Sequence, residues 1–191
     1  VFIEKENVLS EEQLKQILKL TNDFNFPWFY RPSTLNNFYY NSHALLDPNL
    51  GVTSQHLSFF EKIFYRICDL NNVSVNKILR MNVNMTFHYT SPHTNLHVDH
   101  DFPHYVMIFY LNEASGNTLI FEETYTKETG PEVDTFEYKK DKFDKIQNKH
   151  NLKHSISSKV NKVLFFNGTN YHAHEFCKPD EKRLIFICTF Q

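Results

Sequence analysis

The clearest hydrophobic rhythm in the chain lies between Leu79 and Tyr89. Leu79, Met81, Val83, Met85, Phe87 and Tyr89 alternate with Arg80, Asn82, Asn84, Thr86 and His88. A period of two sends successive side chains to opposite faces, so this stretch predicts a long strand with one apolar and one polar face. The polar face is either solvated or turned into a pocket. Tyr105 to Leu111 is almost continuously apolar, which predicts a buried strand. Shorter strands are expected at Val1–Ile3, Thr118–Phe121, Lys162–Phe166 and Arg183–Phe190, with turn signals at Ser115-Gly116-Asn117 and Asn167-Gly168.

Two segments carry a helical rhythm instead. Ser10-Glu11-Glu12-Gln13 reads as a capping box, followed by Leu14, Ile17 and Leu18 on one face of a helix to about Leu20. From about Ser54 to Leu70, Leu57, Phe60, Phe64 and Ile67 form one stripe with Ile63 and Leu70 beside it, and Asn71-Asn72 ends it. Such a stripe packs a helix on the outside of a sheet. Between the helices, Asn22 to Asn49 is rich in aromatics, Asn and Pro and reads as irregular. Phe24, Phe26, Trp28, Phe29 and Tyr30 in it call for burial, as core beneath the sheet in preference to the lining of a cleft.

The resulting order is two helices, then seven or eight strands with no helix between them. That argues against a parallel α/β sheet. It predicts a mainly β fold with flanking helices: a double-stranded β-helix (jelly-roll or cupin-like) core with the N-terminal helices packed on one sheet. We expect a single domain over 1–191, with a helical part over about 1–75 and a jelly-roll core over about 76–191. The core is interrupted by a polar, Lys-rich insertion at about 122–159, read as a solvated excursion in preference to a lid.

Composition narrows the function only a little. A formal net charge of -2 carries no polyanion-binding signature, so no nucleic-acid partner is expected. No apolar run approaches the length of a membrane span, and no signal peptide is visible, so a cytoplasmic protein without a membrane partner is expected. The three cysteines, Cys68, Cys177 and Cys188, show no paired metal spacing, which suits a reducing compartment.

The chemistry gathers elsewhere. Of eleven histidines, only His97 is followed two residues later by a carboxylate, Asp99. On extended backbone the pair projects side by side. It supplies two thirds of the two-His-one-carboxylate set that holds non-haem Fe(II) and leaves the opposite positions open. A second histidine segment, Phe165-Phe166-Asn167-Gly168-Thr169-Asn170-Tyr171-His172-Ala173-His174, precedes Arg183 at the head of the last strand. Arginine suits the far carboxylate of a dicarboxylate, because its planar fork grips both oxygens.

In this order, His97-x-Asp99, Tyr110-Leu111-Asn112, Ser115-Gly116 with Thr118 and Phe121, Phe166-x-Gly168, a distal histidine and Arg183 resemble the Fe(II)- and 2-oxoglutarate-dependent dioxygenases, the prolyl 4-hydroxylase-like branch in particular. The resemblance spans roughly Leu79 to Phe190. It implies that His97, Asp99 and a distal histidine ligate Fe(II), and that 2-oxoglutarate and O2 are consumed, with ascorbate as an optional reductant. It also implies that Arg183 pairs with the 5-carboxylate of 2-oxoglutarate, with Tyr110 hydrogen-bonding the same group. The product side would be a hydroxylated C–H bond, succinate and CO2.

His172 is preferred over His174 as the distal ligand, since it matches the Phe-x-Gly-x-x-Tyr-His form of some members. The two share strand parity, so the pattern alone does not separate them. The chain departs from many members in having Ile185, not a small hydroxyl residue, two positions after the arginine. Asn82, Asn84 and Thr86 are the candidates to make up the lost polarity. The substrate expected from the resemblance is a prolyl or other peptidyl residue, with small molecules open, acted on by a monomer or weak dimer. The competing readings are a non-catalytic, metal-stabilised jelly-roll binding module and a cupin-type metal hydrolase or isomerase, in which Arg183 is incidental.

Overall fold

The structure is a computed structural model that describes residues 1–33, 38–126 and 151–191. Among these, eleven strands and two helices follow the order β1 (Phe2–Lys5), α1 (Glu11–Thr21), β2 (Phe29–Pro32), β3 (Tyr39–Asp47), β4 (Gly51–Val52), α2 (Leu57–Leu70), β5 (Ile78–Phe87), β6 (Tyr105–Tyr110), β7 (Ala114–Thr124), β8 (Leu152–Ser158), β9 (Lys162–Asn167), β10 (Asn170–His174) and β11 (Lys182–Phe190). The large sheet runs β1-β9-β6-β11-β5-β3-β2, with β4 paired to β3, and the small sheet runs β10-β7-β8. Every strand pair is antiparallel. This is the expected jelly-roll, with both helices on one side.

The large sheet is buried on both faces in its centre, and its strands say why. Met107 and Phe109 of β6, Val163 and Phe165 of β9, Leu184, Phe186 and Cys188 of β11, and Met81 and Val83 of β5 face the helices and pack with Ile17, Phe60, Phe64 and Ile67. The alternate residues Val106, Ile108, Tyr110, Leu164, Phe166 and Ile185 face the small sheet and meet Ile120 and Ile156. A strand covered on both sides has no solvent face to mark with polar residues, hence the continuous apolar run of β6. Strand β5 lies nearer the open end of the sandwich. There its second face is polar and lines a cavity between the sheets.

The helices form as their sequences predict. Ser10 Oγ accepts from the Gln13 amide and the Gln13 side chain reaches back, completing the capping box. At the end of α2, Asn72 takes a left-handed backbone (φ 54°), which asparagine tolerates better than most residues.

Three expectations need correcting. The stretch 22–49 is not irregular, since β2 and β3 lie within it and β3 pairs with β5 along Asn41–Leu46. Its aromatics also divide: Phe26 is buried and Trp28 packs against the core, but Phe24, Phe29 and Tyr30 are exposed, so the stretch builds both core and rim. Ser115-Gly116-Asn117 is not a turn but part of β7. Gly116 is there because a Cβ would sit 2.3 Å from the backbone oxygen of Glu175, and only glycine allows that approach. The polar segment 122–159 is shorter than it looks, because Glu122–Thr124 continue β7 and Leu152–Ser158 form β8. The remainder of that reading lies outside the described residues.

Phe186 and Phe60 are fully buried ring neighbours 5.0 Å apart, where β11 meets α2. Phe186→Ala should cost about 3–5 kcal/mol in chemical denaturation. Gly116→Ala should also lower stability, through the backbone clash with Glu175 and not through any lost contact. An unchanged unfolding midpoint for either variant would contradict this packing.

Candidate active site

Two pieces of backbone distant in sequence are laced together to make the site. The loop after β5 runs alongside β10: Thr94 N–H donates to His174 O (2.9 Å), and His97 and His172 exchange N–H···O bonds in both directions (3.0 Å each). This isolated antiparallel bridge sets the two imidazoles side by side, with ring centroids 4.5 Å apart. Asp99 follows two residues after His97. One ligand atom from each of His97, Asp99 and His172 lies within 4.8 Å of the others. His174 is not in that group. It shares the face of β10 with His172, one strand repeat further along.

Both imidazoles present the same nitrogen. His97 Nδ1 lies 3.0 Å from Asn95 O, and His172 Nδ1 lies 3.1 Å from Asn170 O. A carbonyl can only accept, so each Nδ1 carries the proton and each Nε2 keeps its lone pair for an electrophile. Burial foremost, then the neighbouring His172, lowers the His97 pKa to about 4, so this imidazole is neutral at pH 7. Burial disfavours the Asp99 carboxylate, but the Arg80 guanidinium and the two imidazoles outweigh it and hold its pKa well below the usual range.

Arg80 is the functional residue that the sequence reading missed. It stands on the polar face of β5, and its Nη2 donates to Asp99 Oδ1 at 2.5 Å. Asp99 Oδ2 is buried, has no hydrogen-bond partner, and approaches His172 Nε2 at 3.6 Å without bonding it. One oxygen is thus held by the protein and the other is left for a metal. The only signal available in the sequence was parity: Arg80 shares the polar face of β5 with Asn82, Asn84 and Thr86, and all four line the cavity.

That cavity has a volume of about 390 Å3 and reaches from the His97–Asp99–His172 group to Arg183. Arg183 is almost fully buried (2% exposed). Its Nη2 donates to Thr118 Oγ1 (2.7 Å), and Thr118 Oγ1 shares a second 2.7 Å bond with the Tyr110 hydroxyl. The guanidinium carbon lies 5.4 Å from the Tyr110 ring centre. Among the described residues no carboxylate pairs with Arg183, and its Nε has no partner. Burying a cation without an anion is costly, so the structure is built for an anionic guest. Tyr110 does not line the cavity. Its hydroxyl is engaged by Thr118 and its ring lies beside Arg183, so it meets the cavity through those two residues. Ile185 forms part of the apolar wall.

The donor set fits Fe(II): two imidazole nitrogens and one carboxylate oxygen on one side, with open volume on the other. The pocket fits a dicarboxylate, with a buried arginine at the far end from the three ligand atoms.

No protein-family model and no curated protein sequence matches the chain. Solved structures do match. The α-ketoglutarate-dependent carbocyclase SnoK from nogalamycin biosynthesis superposes with a TM-score of 0.70 at 11% identity, covering 99% of this chain and 79% of that one. The chain has the fold of the 2-oxoglutarate/Fe(II) oxygenases. The epimerase SnoN, solved with Fe3+, α-ketoglutarate and nogalamycin RO, gives a TM-score of 0.59 at 14% identity over 100% of this chain and 78% of that one. A Pseudomonas putida prolyl-4-hydroxylase gives 0.56 at 10% identity over 100% and 92%. At these identities the likeness establishes architecture, and the chemistry must be argued from this chain's own residues.

Burial is the first cause of a lowered pKa for His43, His97, His100, His104 and His174. The unfolded chain therefore binds more protons than the folded one below about pH 6.5. Stability of the metal-free protein should fall as pH drops through that value toward about 4, where His97 and His100 titrate. A melting temperature that stays level across this window would show that these imidazoles are not buried as described.

Proposed function

We propose that the protein is an Fe(II)- and 2-oxoglutarate-dependent oxygenase. It hydroxylates a C–H bond of its substrate, using O2 and one 2-oxoglutarate and releasing succinate and CO2. The observation that carries this reading is the meeting, in one cavity, of the His97–Asp99–His172 group with a buried Arg183 that has no acidic partner among the described residues. A metal-only binding module has no need of the arginine, and a fully protein-ligated structural site would not open onto a cavity. A cupin-type hydrolase would leave Arg183 without a task.

On this reading His97 Nε2, His172 Nε2 and Asp99 Oδ2 hold Fe(II), which when bound supplies the oxygen activation that side chains cannot. The protein's share is placement. The carbonyls of Asn95 and Asn170 fix both imidazole tautomers. Arg80 holds Asp99 Oδ1 and keeps the carboxylate from turning. Arg183 takes the 5-carboxylate of 2-oxoglutarate, and Thr118, backed by Tyr110, keeps the guanidinium aimed into the cavity. Ile108, Ile185 and Ile187 line the wall and limit water near the reacting atoms.

The substrate reading is a prolyl or other peptidyl residue. Its support is the rim: Pro32, Ser33, Phe38 and Tyr40 line the cavity, while Phe29, Tyr30 and Tyr39 beside them are exposed, a surface suited to an extended chain. The prolyl-4-hydroxylase likeness leans the same way, whereas the higher score of SnoK favours a small molecule as the second reading.

Succinate should form from 2-oxoglutarate only with Fe(II) and O2 present, and Asp99→Ala should abolish it. Arg183→Ala should raise the KM for 2-oxoglutarate roughly 10- to 100-fold, the weight of a charged hydrogen-bonding partner. Full turnover of a substrate by Arg183→Ala without 2-oxoglutarate would refute the oxygenase reading.

A further inference from the structure

Besides Asp99 Oδ2, the cavity holds four buried polar atoms with no hydrogen-bond partner: Asn82 Oδ1, Thr86 Oγ1, His174 Nε2 and Arg183 Nε. Three of them share one end. Thr86 is the cross-strand partner of Arg183 in the β5–β11 pair. His174 is the cross-strand partner of Thr118 in the β10–β7 pair, and Thr118 is the residue that receives Arg183 Nη2. The two sheets thus bring Thr86 and His174 to the same arginine from opposite sides. Buried donors are rarely left unpaired in a folded protein. Two such donors beside the arginine's own unpaired Nε describe a seat for a multi-oxygen anion.

We propose that His174 is a binding residue for the far carboxylate of the dicarboxylate cosubstrate, donating from Nε2 beside Arg183 and Thr86. This rests on the 2-oxoglutarate reading above. The imidazole is steered toward that end by Phe38 and Phe176, which meet it edge-on with ring centroids at 6.1 and 5.4 Å. The wall residue Ile185 has no polar atom to offer this carboxylate. His174 and Thr86 supply the donors in its stead. His172 and His174, one strand repeat apart, then divide the labour: the first holds the metal end of the cavity, the second the carboxylate end.

The test is calorimetric titration of the Mn(II)-loaded protein under argon, with 2-oxoglutarate and with pyruvate, which keeps the oxo-acid head but lacks the far carboxylate. His174→Ala should weaken 2-oxoglutarate roughly tenfold, the loss of one hydrogen bond to a charged group. It should leave pyruvate unchanged and Mn(II) affinity within about twofold. His174→Gln, which keeps an N–H donor, should recover part of the loss, and Thr86→Val should reproduce it independently. If His174→Ala binds 2-oxoglutarate like the parent, or weakens pyruvate equally, the proposal is overturned. Loss of Mn(II) binding in that variant would make His174 a ligand and overturn it as well. If the parent protein itself fails to bind 2-oxoglutarate, it is the oxygenase reading that falls.

Discussion

The site depends on one small piece of hydrogen bonding: the two-way backbone bridge between His97 and His172. Neither segment needs it to form. Strand β10 is already paired with β7, and the loop after β5 meets the chain beyond β10 a second time through the His93–Glu175 bridge. The His97–His172 bridge pins that loop along the edge of β10, the end strand of the small sheet. Two imidazoles and a carboxylate from residues 75 positions apart then converge without strain in any of them. Backbone bonds suit this task better than side-chain contacts, because they fix direction as well as distance and leave the side chains free for chemistry.

Charge placement completes what the bridge begins. Asp99 is buried beside two imidazoles and would be expensive to keep ionised there without Arg80. The ion pair keeps the carboxylate charged and occupies one of its oxygens. At the other end Arg183 is buried with a hydrogen bond to Thr118 and, among the described residues, no acid. The cavity is thus polarised, with ligand atoms at one end and an unsatisfied cation at the other. That asymmetry selects for an elongated, doubly anionic guest more directly than any single residue does.

The large sheet makes this polarity affordable. Its helix-facing side is a dense apolar layer built on Phe60, Phe64, Phe109, Phe165, Phe186 and Phe190. Most of the folding free energy from apolar burial lies in this layer. The opposite side can then give up part of its surface to Arg80, Asn82, Asn84, Thr86 and Arg183 and carry unpaired polar atoms. Function and stability occupy different faces of the same strands, and the period of two keeps them apart.

The sequence by itself determined the alternation of β5, the capped first helix, the stripe of the second, and the ordered set of His97, Asp99, a distal histidine and Arg183. All are written in near neighbours or in residue types with few other uses. It did not determine that Tyr39–Asp47 is a strand, because strand identity there comes from pairing with β5 and not from its mixed pattern. Nor did it show that Gly116 marks a close approach to Glu175, or that Phe24, Phe29 and Tyr30 stay exposed. Arg80 was legible only as one polar residue among several, since its role is set by Asp99, 19 positions on. Which of His172 and His174 meets His97 was decided by the tertiary structure alone. Residues of equal parity on one strand differ only in how far along it they lie, and that distance acquires meaning when another segment docks beside it.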